Sequence, residues 1–172
     1  MLSIVLFLGL RALHVLLAAT WIGSTIFIST LLTPAVAASG SSGGHVMMNI
    51  NRRGITAYMG ALGALTILTG LYLLWRFAGG FGAIGDTHAG IAFGIGGASG
   101  IFAGIIGGSV VGRSGVKLAN LMREAAGLPD GPAKVSLIQG GAPLHRRIKV
   151  GSRVVIALQL VALVLMAVGH YV

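Results

Sequence analysis

Apolar residues in this chain do not alternate with polar ones. They run in four long blocks separated by polar or small-residue stretches. The first extends from about Leu2 to Thr33 and stops near Pro34; the second covers Ile55 to Ala78, the third His88 to Gly112 and the fourth Val150 to Val172. A membrane-spanning helix needs roughly 20 mainly apolar residues, and each block meets that length. The pattern predicts an all-α fold: a single domain, residues 1–172, built as an integral membrane bundle of four antiparallel transmembrane helices. Ala38 to Gly44, almost all Ser and Gly, reads as a flexible loop between the first two spans. Gly79-Gly80-Phe81-Gly82 reads as a tight link between the second and third. The long connection, Arg113 to Lys149, is expected to begin by continuing the third helix. Its Lys117, Leu118, Leu121 and Met122 suit an amphipathic turn or two at the membrane surface. Leu128-Pro129-Asp130-Gly131-Pro132 then breaks it.

Composition supports lipid as the solvent: 55% of residues are hydrophobic and only 9% charged, with mean hydropathy +0.94. So few polar residues cannot cover a water-facing surface of this size. The net charge of +9 raises nucleic acid as a partner, but the placement of the charges argues against it. Ten of the 12 Lys and Arg residues lie in two connections or at their borders. Arg52 and Arg53 follow the first span; Arg113, Lys117, Arg123, Lys134, Arg146, Arg147, Lys149 and Arg153 lie around the third connection. An even number of spans puts these loops on one side, leaving only Arg11 and Arg76 opposite. The positive-inside rule makes the basic side cytoplasmic and puts both termini outside, as in a bacterial-type inner membrane. The N-terminal block exceeds a signal-peptide core and is read as retained. With no cysteine, disulfides, thiolate metal sites and thiol nucleophiles are excluded.

This topology gathers three of the five histidines toward the outer edge. His88 opens the third span and His170 nearly closes the fourth. His14 stands 20 residues before Pro34, roughly 30 Å along a helix. His45 and His145 fall in cytoplasmic loops. Arg11, His14, Ala18, Trp21 and Thr25 recur at three- and four-residue intervals and so share a helix face. Two readings of that face stay open. In one, His14 ligates a cofactor, Arg11 neutralises an anion such as a haem propionate, and Trp21 packs on the ring. In the other, Arg11 snorkels to the headgroups and His14 bonds to a neighbouring carbonyl.

The third span repeats glycine every fourth residue: Gly96, Gly100, Gly104, Gly108 and Gly112. Such spacing lets helix backbones approach closely, within the bundle or at a seam with another copy or another membrane subunit. It also leaves room for a flat macrocycle or a quinone ring. The only acids are Asp86, Glu124 and Asp130. This leaves no paired carboxylates, no Ser/His/Asp arrangement and no acid inside a span. Haem and copper, both satisfied by imidazole, match the available ligands better than zinc.

Leu13-His14 followed by Trp21-Ile22-Gly23 resembles the first-helix pattern of the copper-resistance protein D family and of the related four-helix bacterial protoporphyrinogen oxidases. Asn51-Arg52-Arg53, Thr69-Gly70-Leu71-Tyr72-Leu73-Leu74 and Asp86-Thr87-His88 resemble their second helix and the start of their third. The resemblance implies a four-helix bundle that binds b-type haem through the first-helix histidine, here His14, with His88 as the second candidate ligand. The oxidases carry a lysine shortly after the third-helix histidine, whereas this chain reads Ala89-Gly90-Ile91, so the oxidase activity does not carry over. The expectation is a membrane-embedded haem b protein, an oxidoreductase if an enzyme, passing electrons with quinone or within a respiratory complex. His14, His88 and His170 are its candidate metal ligands, with Arg11 and Trp21 beside the cofactor. Copper binding or transport, and a structural subunit docking through the glycine face, stand as alternatives.

Overall fold

The computed structural model describes residues 2–171, without the side chains of residues 2, 3, 41 and 42; Met1 and Val172, the ends of the expected domain, lie outside the described residues. Among the described residues, four helical stretches are long and apolar enough to cross a membrane: Ile4–Ala38, Ile55–Ala78, His88–Ala126 and Pro132–Tyr171. No strand occurs among the described residues. The chain is therefore an all-helical, multi-pass membrane protein.

The second expected span is found with its predicted ends, as helix α4 (Ile55–Ala78; α1–α3 precede it). Glycines set both limits: Gly54 at φ 82° and Gly79 at φ 73° take the left-handed conformation that side-chain-bearing residues avoid. The first span runs further than predicted. Helix α1 (Leu2–Phe27) passes through a wide π-turn at Ile28–Leu32 into α2 (Thr33–Ala38), with Pro34 in the first turn of α2. Proline lacks an N–H and crowds the carbonyl four residues back. A π-turn just ahead of it relieves that crowding without ending the helix. The expected loop 38–44 is also helical, since α3 covers Gly40–Arg52. Gly43 approaches the Val36 carbonyl so closely that a Cβ would overlap it. The small residues there permit a sharp fold-back between two helices.

Past α4, a 3-10 turn at Phe81–Asp86 leads into α5 (His88–Ile106), where the Thr87 side chain caps the helix by accepting from the Gly90 N–H at 3.0 Å. A second π-turn, Gly107–Gly112, joins α5 to α6 (Arg113–Ala126), so the third helix continues as expected. The apolar face of α6 packs at the turn before the last helix: a Cβ at Gly141 would sit 3.0 Å from Leu118 and 3.3 Å from Met122. After the Pro129 break come α7 (Pro132–Gly140) and α8 (Ala142–Val168). Helix α8 thus begins well before the predicted Val150. Apolar content marks where a helix enters lipid, whereas backbone hydrogen bonding continues through Arg146, Arg147 and Lys149.

Each long helix packs on the next in chain order, α1 on α4, α4 on α5 and α5 on α8, and α8 also touches α1. The centre is small: Trp21, Leu62, Ala103 and Val155 are buried together, edged by residues such as Leu17, Ile67 and Leu158. As many polar as apolar side chains are buried, including Thr25, Thr66, Ser99 and Gln159, while Leu6, Leu16, Phe102 and Val164 face outward. Lipid removes the usual drive to bury large apolar groups, and close packing of small residues takes over. Three of the buried hydroxyls cost little inside because they donate to a carbonyl four residues back: Thr25 to Trp21 at 2.8 Å, Thr66 to Leu62 at 2.7 Å and Ser99 to Ile95 at 2.9 Å.

The glycine series of the third span does not form one seam. A Cβ at Gly96 would meet Leu165 of α8 at 3.4 Å, whereas one at Gly104 would meet Ile67 of α4 at 2.6 Å. Gly100 and Gly108 have nothing within 4 Å. Four residues exceed one helical turn by roughly 40°, so a four-residue repeat winds around the helix from one neighbour to the next.

Candidate functional site

His14 is half-buried on the face of α1 that meets α4. Its Nδ1 lies 2.9 Å from the Thr69 hydroxyl, and the ring rests on Gly70, where a Cβ would stand 2.8 Å from Cε1. Glycine at this position lets the imidazole approach the α4 backbone. The Thr69 hydroxyl reaches the carbonyls of Leu65 at 2.7 Å and Thr66 at 3.0 Å, so its single proton is directed into its own helix. Its oxygen then accepts from the His14 Nδ1–H. That assignment leaves the lone pair on Nε2. A ligating imidazole takes this form: one nitrogen donates to an outer oxygen, and the other is held as the base.

Arg11, one turn earlier, donates from Nη2 to the His170 Nε2 at 3.1 Å. Guanidinium has no acceptor, so His170 must offer a lone pair there. The His170 ring also lies edge-on to Phe93, with centroids 5.0 Å apart, and to Phe77 at 6.1 Å. Gly169 permits this approach, since a Cβ there would meet the Phe93 ring at 2.6 Å. Arg11 has no carboxylate partner among the described residues, whose one ion pair is Lys134 with Asp130.

The two remaining cofactor candidates are placed differently. His88 is the first residue of α5, exposed, and bonded to neither His14 nor His170 among the described residues. Trp21 is 6% exposed, and a Cβ at Gly63 would come within 3.0 Å of its indole, so it locks α1 onto α4 inside the core. The structure therefore brings Arg11 and His170 together, one turn from His14, and leaves His88 apart. No group of three or more His, Cys, Asp or Glu forms a metal cluster among the described residues.

Three further residues shape the site and the core beside it: Thr69, Gly70 and Gln159. Thr69 and Gly70 stood in the second-helix pattern, but nothing in sequence linked them to His14. Gln159 was overlooked, although it is the only amide side chain in the four apolar blocks. It is 1% exposed, the largest fully buried side chain among the described residues. Its Nε2 donates to the Thr25 hydroxyl oxygen at 3.3 Å, tying α8 to α1, while its Oε1 receives no donor among the described residues. Comparison with known proteins yields no match, whether with family models, curated proteins or solved structures.

Proposed function

We propose that this chain is a membrane-embedded b-type haem protein that takes part in electron transfer, with His14 as an axial ligand through Nε2. The observation that carries this reading is the His14–Thr69 bond of 2.9 Å over Gly70, which orients the ring and reserves Nε2. Thr69 acts as the outer partner that keeps the proton on Nδ1. Arg11 would supply the positive charge for a propionate, and the second imidazole would come from His88 or from His170, whose Nε2 lone pair becomes free for a metal only when Arg11 turns from it to the propionate. Of these, His170 is the nearer along the helix face, through its bond to Arg11. When bound, haem supplies a one-electron iron couple, and the surrounding apolar helices keep water from it.

The proposal extends to topology. The helices run antiparallel, with both termini outside and the basic connections in the cytoplasm of a bacterial-type inner membrane. Contact between Arg11 near the start of α1 and His170 at the end of α8 supports this arrangement, as does the basic bias of the other end.

The test is a reduced-minus-oxidised optical spectrum of detergent-purified protein made with haem supplied. A sharp α-band and a shifted Soret peak are expected. His14→Ala should abolish them, and His170→Ala or His88→Ala should convert the spectrum to that of a five-coordinate haem. A flat spectrum from haem-replete wild-type protein overturns the reading. Copper found in place of haem, and lost in the same variants, would assign the histidines to a copper site instead.

A further inference from the structure

We propose that one face of α8 holds an anionic phospholipid lengthwise, with its headgroup on Arg146, Lys149 and Arg153 and an acyl chain along Ala157, Leu160 and Val164. These six residues follow one another at intervals of three or four, so they form one continuous stripe on the helix. All six are exposed. The stripe is separate from the core face of α8, which buries Gly151, Ser152, Val155 and Gln159. Its lower part opens into an apolar groove of about 350 Å³ bounded by Leu160, Val161, Val164 and Leu165.

Charge and length both select the occupant. None of the three cations has a carboxylate partner among the described residues, where Asp130 is taken by Lys134. A bare phosphate or a nucleic acid would satisfy the cations but leave the apolar groove unused. A neutral lipid would fill the groove but leave the cations unpaired. From Arg153 to Val164 the helix rises roughly 16 Å, close to the roughly 15 Å depth of one hydrocarbon leaflet. An anionic phospholipid satisfies both halves of the stripe. This assignment is independent of any cofactor at His14.

Native mass spectrometry of the full chain, released from nanodiscs of equimolar dioleoylphosphatidylglycerol and dioleoylphosphatidylcholine, tests it. The wild type should retain the anionic lipid with at least roughly fivefold preference, the worth of about one cation at a lipid surface. The variant Arg146→Gln/Lys149→Gln/Arg153→Gln should lose the preference, and the charge-keeping Arg146→Lys/Arg153→Lys should keep it. Arg76→Gln, away from the stripe, should leave it unchanged. Leu160→Ser/Val164→Ser should lower retention of both lipids without altering their ratio. Equal retention of the two lipids by the wild type, or a preference that survives the triple Gln variant, overturns the proposal. Loss of the preference in the charge-keeping variant does so too, since it would trace the effect to side-chain shape or folding.

Discussion

The His14 region and the basic corner where α6, α7 and α8 meet treat polar groups in opposite ways. Around His14 the polar side chains are few and bridge helices: His14 to Thr69, Arg11 to His170 and, deeper in the bundle, Gln159 to Thr25. At the basic corner they are many and point outward, with Arg146, Arg147, Lys149 and Arg153 exposed. The contrast follows from the solvent. Inside lipid an unpaired polar group is expensive, so each bridge also constrains where two helices meet. At the headgroup level water and phosphate satisfy charges, so they orient the chain without fixing its packing.

The first way to break this contrast is to remove what holds the bridged region together. Trp21→Ala deletes the indole seated on Gly63, and a loss of about 3–5 kcal/mol is expected from a buried tryptophan. Thermal unfolding in detergent would report it, whereas Arg147→Gln at the basic corner should leave the midpoint unmoved. Next in size is the imidazole bridge. A double-mutant cycle of His14→Phe with Thr69→Val should give a coupling of about 0.6 kcal/mol, and no more than about 2 kcal/mol, as for other hydrogen bonds between membrane helices. A coupling near zero would mean that the two side chains do not hold one another.

Gln159 sharpens the comparison because only half of its amide is satisfied. Gln159→Leu keeps the volume and removes the orphan carbonyl, so stability should change by less than about 1 kcal/mol or rise. A large loss would reveal a donor to Oε1 that the helices themselves do not provide. The smallest effect belongs to the exposed pair. Lys134 donates to Asp130 at 2.8 Å and holds that carboxyl below its ordinary range. A depressed folded value means the interaction is present at neutral pH and is lost as pH falls through that lowered value. Because Asp130 is fully exposed, Asp130→Asn should not shift unfolding measurably. An NMR titration should still show its midpoint moving upward in Lys134→Gln.

How legible these features were in sequence depended on what set them. Helix α4 could be read at both ends because glycine at positions 54 and 79 terminates a helix through its own backbone freedom. The start of α8 could not, since hydropathy marks the lipid boundary and hydrogen bonding does not stop there. The Ser/Gly run at 38–44 read as a loop because propensity is local, while the fold-back of Gly43 onto Val36 is a tertiary contact. For the candidate site, counting residues from Pro34 put His14 near the outer edge, but depth says nothing about azimuth. The pairing with Thr69 depends on which faces of α1 and α4 meet. The winding of the glycine series away from a single seam was, by contrast, already implicit in a helix of 3.6 residues per turn.

The π-turn at Ile28–Leu32 has a consequence for how this chain tolerates changes in length. A wide turn accommodates one surplus residue within an otherwise regular helix. Deleting Ser29 would therefore allow the turn to close into ordinary α-helix while the residues on either side keep their azimuths. Deleting a residue between His14 and Trp21, where no wide turn takes up the change, would instead rotate everything beyond it by roughly 100° and turn one of these side chains away from α4. The first long helix thus carries its one site of tolerance for a lost residue at the π-turn, away from the half that meets α4.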